Sequence, residues 1–461
     1  MGAIERTTAA DALPAPAGTT LRIDNSTRRY NRGRVMLGGA PLRLLRLSDA
    51  GARLVERWAA GAPVGTDAAE GALARRLVDA GFAHPVPIVS QGFSVRDVTL
   101  VVPVKDNPDG VARTLRATAD LADRIVVDDG SSEPIPYATT RHPTARGPAA
   151  ARNTGWRTAT TDLVAFLDSD TIPEPEWLDT VLPLFHDPSV AVVAPRIRSL
   201  VHGPVGRYEA DRSSLDMGPD AAGVRPNGRV RYVPSAALVV RRDVMRVIGG
   251  FDDSLRFGED VDLVWRILAT GRTVRYQPNS IVWHEPRGTV RDWLRQRFDY
   301  GTSAAPLAIR HPGNLSCAQL TKLNATACVL AATGHPVQAA AMSSATVIAW
   351  ARRLHRGGVP LPNAASFSAR AYFATIAQLV HAMRRTWWPF ALFSHRGRVL
   401  FAAIVSACAL SDMLGGRGIR WAALRLADDL AYGAGVWAGC LRQRTIAPLL
   451  PRLARSQGSP R

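Results

Sequence analysis

The residues best suited to chemistry stand where apolar runs stop. FLDSDTIPEPEW, residues 166–177, closes a hydrophobic stretch with Asp168 and Asp170, one residue apart. Side chains at i and i+2 of a strand share a face. Two carboxylates on one face repel each other unless a cation or an array of donors lies between them. Hard divalent cations take carboxylate oxygens and leave room for a diphosphate. A solvated loop start is the plain alternative, since Asp, Ser and Pro are ordinary turn residues. Comparable polar groups follow two other apolar runs: Lys105 after VTLVVPV (98–104), and Asp128, Asp129 and Gly130 at the end of RIVVDDGSS. Further on, Glu259 and Asp260 stand just before VDLVWRILATG, with Gly258 allowing a tight backbone ahead of them. Acids there are common helix caps. They can also serve as a general base that deprotonates an acceptor hydroxyl. His284, in IVWHEP, offers a neutral imidazole to a metal, although a lone histidine more often has another role.

These residues need a frame to bring them together. The centre of the chain alternates between strand and helix: strand VTLVVPV, helix DGVARTLRATADLA, strand RIVVDDGSS, helix GPAAARNTGWRTAT, strand DLVAFLDSD. Alternation of this kind, with acids at strand C-termini, predicts an open, largely parallel α/β sheet. Ligands in such sheets bind outside the carboxyl ends of the strands. Three polar strand ends on one edge therefore predict a nucleotide site. Neither GxGxxG nor GxxxxGK[ST] occurs, which argues against a dinucleotide site and a P-loop.

The 461-residue chain is long for one domain. Residues 1–20, rich in Ala, Pro and Thr, are expected to be a disordered leader. Residues 21–92 read as small strands followed by two short helices, DAGARLVERWAAG and GALARRLVDAGF, a winged-helix-like module. It could bind DNA or a peptide. Peptide is favoured over DNA because no helix is strongly basic along one side, and a plain packing role stands beside both. The catalytic domain is expected at 95–305, and a basic helical region at 306–461.

Charge divides the chain unevenly. From residue 303 onward 18 Lys and Arg stand against 3 Asp, so most of the formal +18 lies in the last third. A uniform nucleic-acid footprint is thereby disfavoured. The run from Leu323 to Ala351 carries no Asp, Glu, Lys or Arg but is broken at Gly334-His335-Pro336, and VLFAAIVSACAL (399–410) is too short to span alone. Trp387 and Trp388 beside Arg384 and Arg385 suit a membrane–water interface. This reading places the protein at the cytoplasmic face of the cell membrane, with a cytoplasmic location as the alternative. The four cysteines are widely spaced with no CxxC, which points to neither a zinc site nor a disulfide framework.

VVPVKDN, IVVDDGSS, the ARN of PAAARNTG, FLDSD, GGFDDSLRFGEDVDLVWRILATG and VWHEP occur in the order seen in glycosyltransferase family 2, and the chain resembles that family over roughly residues 95–305. The resemblance implies a GT-A fold, a nucleotide-sugar donor, and Mg²⁺ or Mn²⁺. It implies that Pro103 and Lys105 lie under the nucleoside, that Asp129 contacts the base, and that Arg152 and Asn153 lie near the nucleotide. Asp168 is implied near the ribose and donor sugar, Asp170 and His284 at the metal, Glu259 beside the substrate, and Asp260 as catalytic base. WLRQRFDYG (293–301) is similar to the QxxRW element of processive enzymes but differs in spacing and in the Trp, so only a diphosphate contact by Arg297 is carried over. The whole arrangement is similar to family members that act on a peptide-derived small-molecule acceptor. That implies UDP-glucose and a β-linked oligosaccharide formed with inversion. A cell-wall or lipid acceptor, and a DNA-binding regulator, stand as alternatives.

Overall fold

The computed structural model describes residues 13–88, 92–226 and 228–453. The chain divides into two compact units. The first comprises the described residues up to Arg28, with Leu37–Arg43 and Ser48–Thr289; the second comprises Arg29–Met36, Leu44–Leu47 and the described residues from Val290.

The first unit is built on a nine-stranded sheet. Its strands are β1 (Val98–Val104), β2 (Asp123–Asp128), β3 (Thr140–Arg141), β4 (Leu163–Leu167), β5 (Thr171–Pro173), β6 (Val190–Ser199), β7 (Ala222–Gly223), β8 (Ala237–Arg241) and β9 (Thr273–His284). The order is β5-β9-β6-β8-β4-β1-β2-β3, with β7 also pairing with β9. β1 runs parallel to β2 and β4, so their C-terminal ends share one edge. The sheet is mixed rather than largely parallel, because β8 lies antiparallel between β4 and β6, and β5 and β7 lie antiparallel to β9. β1 and β4 are buried at every residue, which explains why they read as unbroken apolar runs. Helices α1 (Pro108–Ala117), α2 (Pro148–Thr158), α3 (Gly203–Arg212), α4 (Arg242–Ile248) and α5 (Glu259–Ala269) complete the alternation.

The two N-terminal helices form at Asp49–Ala59 and Ala68–Ala80, each with its N-cap side chain bonded, Ser48 and Asp67. The region expected as a separate module is mostly part of the first unit. Arg75 pairs with Asp187 at 2.6 Å. His84 Nε2 donates to Asp24 at 2.7 Å, and its Nδ1 accepts from Arg275 of β9 at 3.1 Å. Of the expected leader, residues 1–12 lie outside the described residues. Ala15 is buried and donates to the Gly71 carbonyl, so ordered chain begins before residue 21.

The second unit takes the chain from Val290, earlier than the expected boundary at 305. Its helices are α6 (Val290–Thr302), α7 (Ala304–Arg310), α8 (Lys322–Ala332), α9 (Pro336–Arg356), α10 (Leu361–Ala382), α11 (Trp388–Leu392), α12 (His395–Leu414) and α13 (Ile419–Gln443). α6 joins this unit because glycines let it touch α13. A Cβ on Gly301 would fall 2.1 Å from the Tyr432 carbonyl, and one on Gly435 1.9 Å from that of Phe298. The apolar run 323–351 breaks between α8 and α9 at Gly334, whose φ is +87°. The run 399–410 sits within the longer α12, the one helix among the described residues that is long and apolar enough to cross a membrane.

Candidate active site

The parallel strands deliver three polar ends to one edge. Val104 lies opposite Asp128 in the β1–β2 register, so Lys105 and Asp129 leave the sheet side by side. Pro103 is buried within β1, and the Lys105 side chain is exposed. Asp106 (φ +53°) then turns the chain; its carboxylate accepts from Ser132 N and its N–H donates to Ser131 Oγ. Asp128 is buried and accepts from Ser131 N at 2.8 Å, a structural role. Asp129 is buried as well. Its Oδ1 accepts from Arg146 N (2.9 Å) and stands 2.7 Å from His142 Nδ1, and its Oδ2 accepts from Gly147 N (2.7 Å). The carboxylate thus fixes the loop that leads into α2.

Asp168 and Asp170 have different neighbours. Arg152, buried on α2, donates through Nη2 to Asp168 Oδ1 at 2.5 Å and through Nη1 to Glu259 Oε1 at 3.0 Å. Its face covers the Phe251 ring, with Cζ 5.5 Å from the centroid. Burial disfavours its charge, yet Asp168 and Glu259 hold its proton above the ordinary arginine range. Asn153 points elsewhere. It donates to the Phe251 carbonyl at 2.8 Å and accepts from Phe251 N and Trp156 Nε1, which secures the GGFDD loop.

Asp170 reaches His284 through the sheet. β5 pairs with β9 in a register that sets Thr171 opposite His284, and Glu285 N donates to the Asp170 carbonyl at 2.9 Å. Asp170 Oδ2 then lies 3.5 Å from His284 Nε2 and 3.6 Å from Arg287 Nη1. Burial would raise the Asp170 pKa, but His284 and then Arg287 hold it below the usual carboxylate value. His284 is buried, and its pKa is raised by Asp170 against the effect of burial.

This pair suits a divalent cation. Neighbouring ligands around an octahedral ion, each at about 2.1 Å, stand about 3 Å apart. The 3.5 Å gap between Asp170 Oδ2 and His284 Nε2 is longer than an ordinary hydrogen bond. Among the described residues no group of three or more His, Cys, Asp or Glu comes together. A pair completed by water and diphosphate oxygens is the usual way Mg²⁺ is held beside a phosphate substrate.

Glu259 and Asp260 begin α5 after Gly258, whose φ of +79° meets the sequence expectation of a tight backbone. Asp260 Oδ1 accepts from Val261 N at 2.7 Å and Oδ2 from Ser235 N at 3.4 Å, while the residue keeps partial exposure. Burial pushes the Asp260 pKa up. Burial, with Asp260 beside it, pushes Glu259 to about 7. Two adjacent acids beside one arginine therefore share a proton near neutrality.

Arg297 lies in the second unit. Its Nε stands 3.5 Å from Asp428, and its Cζ lies 5.5 Å from the Trp293 ring centroid. Sequence reading missed His142, Arg146 and Arg287. Arg287 lies three residues beyond His284, and its nearness to that residue was the available signal.

A family model described as glycosyl transferase family 2 matches residues 99–248. The pre-mycofactocin glycosyltransferase of Mycobacterium tuberculosis is 40% identical over 96% of this chain and 99% of its own length. A probable glycosyltransferase of Bacillus subtilis, YdaM, is 25% identical over 43% of this chain and 53% of its own. Among solved structures, the mannosyltransferase PcManGT of Pyrobaculum calidifontis is 20% identical and covers 69% of this chain and 88% of its own, with a TM-score of 0.38. The open α/β sheet with its acids gathered at the strand ends has the GT-A form, and with near-full-length identity at 40% the chain belongs to glycosyltransferase family 2 and is a glycosyltransferase.

Proposed function

We propose that the protein transfers glucose from UDP-glucose, with inversion, to a hydroxyl of a peptide-derived acceptor of the pre-mycofactocin kind, building a β-linked oligosaccharide. The acceptor class comes from the relative that matches nearly end to end. The observation that supports the chemistry best is the division of labour between Asp168, engaged by Arg152, and Asp170, facing His284 across 3.5 Å.

Asp170 and His284 would hold Mg²⁺ or Mn²⁺, which when bound neutralises charge on the departing diphosphate. Arg152 fixes Asp168 against the donor side and ties it to Glu259 at the start of α5. Asp260, partly open to solvent, takes the acceptor proton. As the acceptor oxygen bonds to the anomeric carbon, the bond from that carbon to the diphosphate breaks and UDP leaves. A single displacement of this kind inverts the anomeric centre. Lys105, Pro103, Asp129 and Asn153 shape the nucleoside side in this reading, Asn153 by holding the GGFDD loop and Asp129 through the 142–147 loop. Arg297, buried beside Asp428 in the second unit, takes no part in this reading, and the diphosphate contact expected from its motif is dropped.

The tail is proposed to dock on the cytoplasmic face of an anionic membrane, and residues 21–92 to engage the peptide part of the acceptor. The test is UDP release and acceptor mass gain with Mn²⁺, comparing a peptide-derived acceptor with a polyprenyl phosphate. Transfer to the lipid alone would replace the acceptor assignment.

A further inference from the structure

α12 is an apolar helix with almost nothing covering it. Its mean hydropathy is 1.6, and only 6% of its apolar window is buried. Soluble surfaces seldom carry contiguous apolar faces of this length. No Asp, Glu, Lys or Arg occurs from Val399 to Ser411. Val399, Leu400, Leu410, Met413 and Leu414 are exposed, whereas Phe401, Ile404, Val405 and Cys408 are more covered. The period is helical, so one side faces the protein and the other faces outward.

Both ends of α12 are tied to the same neighbour. Just ahead of it, Phe390 of α11 stacks edge-on against Trp437 of α13, with centroids 5.1 Å apart. Near its end, Asp412 accepts from Arg425 of α13 at 2.6 and 2.7 Å. α12 therefore lies antiparallel along α13. If α12 crossed a bilayer, α13 would have to cross beside it. α13 carries Arg420, Arg425, Asp428 and Asp429, and charges at the bilayer centre are costly. Its glycine contact with α6 also holds it within the folded unit.

The charge distribution identifies the partner. The three acids after residue 303 are each paired with arginine: Asp412 with Arg425, Asp428 with Arg297, and Asp429 with Arg384. Arg396 and Arg398 stand at one end of the apolar face, and Arg417 and Arg420 just past the other. An apolar strip bracketed by arginines fits the boundary between acyl chains and anionic headgroups.

We infer that α12 lies in the plane of an anionic bilayer, with the face from Val399 to Leu414 inserted and the flanking arginines at headgroup level, and does not span it. The inference rests on the membrane docking proposed above and adds orientation and depth.

The experiment uses the full chain with phosphatidylcholine vesicles containing one quarter phosphatidylglycerol. An environment-sensitive probe is placed by Val399→Cys, Ala403→Cys or Leu414→Cys in a background whose native cysteines are replaced by alanine. Quenching by lipids labelled at different depths should report the same shallow depth for all three. Leu410→Asp should lower vesicle partitioning roughly tenfold, with an unchanged circular dichroism spectrum and unchanged glucosyl transfer without vesicles. A central depth for Ala403 between shallow depths for the other two would overturn the in-plane orientation while leaving membrane docking intact. Failure of the folded chain to bind vesicles would overturn both. Wild-type partitioning by Leu410→Asp would overturn the assigned face. A dimer that dissociates on Leu410→Asp, without vesicle binding, would reassign the face to a second copy of this chain.

Discussion

β4 and α12 are similarly apolar and are placed in opposite ways. Leu163–Leu167 is buried at every residue and ends in Asp168 and Asp170, which open at the sheet edge. Val399–Leu410 is largely exposed, and the nearest acid, Asp412, is turned inward to Arg425. In the first unit, apolar burial makes a stiff frame and the polar groups face the reaction. In the second, ion pairs are drawn inside and apolar residues face outward. Buried apolar strands around charged ends frame a site for a polar substrate; the outward apolar residues around internal ion pairs are the observation on which the proposed membrane docking rests.

Asp170→Ala should break the catalytic side of this comparison most sharply. Transfer should fall on the order of 10³-fold, with loss of the metal-dependent part of donor binding. Steady-state kinetics at several Mn²⁺ concentrations would show it, and unchanged metal dependence would remove Asp170 from the metal site.

Asp260→Asn should leave donor affinity near wild type and lower kcat on the order of 10²- to 10⁴-fold. In the wild type, the rate should rise with pH through about 7 as the Glu259–Asp260 pair loses its shared proton. An equal loss in donor affinity would mark Asp260 as a helix cap.

Arg152→Met should cost about 3–5 kcal/mol in stability, because Asp168 and Glu259 would both lose a buried cation. Thermal melts would measure it. A neutral effect would mean that α2 does not tie the strand edge to α5.

The smallest effect concerns the first unit's frame. Burial, helped by the Arg275 guanidinium beside Nδ1, outweighs the pull of Asp24 and keeps the His84 pKa below the ordinary 6.5. The unfolded chain binds that proton and the fold resists it, so stability is lost as pH falls below about 6.5. His84→Gln should flatten the loss of stability below about pH 6.5, read from denaturant melts at a series of pH values.

Much of the site was legible because local pattern carried it. Acids at strand ends, the i/i+2 spacing of Asp168 and Asp170, and Gly258 before Glu259 are short-range signals, and strands 98–104 and 163–167 formed where alternation placed them. The rest depended on long-range pairing. Arg152 meets Glu259 across 107 residues, and Asp170 meets His284 through the β5–β9 register. Resemblance suggested the second pairing but not the first, and spacing alone suggested neither. The sheet read as more parallel than it is because β8, antiparallel between two other strands, is as apolar as they are. The unit boundary at Val290 was hidden because Gly301 and Gly435 reveal their contact only when the helices pack.

The most direct test of the central claim is calorimetric titration of UDP-glucose into the purified full chain, with and without Mn²⁺, for wild type and His284→Ala. The account predicts binding that tightens with Mn²⁺ in the wild type and loses most of that gain in His284→Ala. Equal donor affinity with and without the ion in both proteins would contradict it.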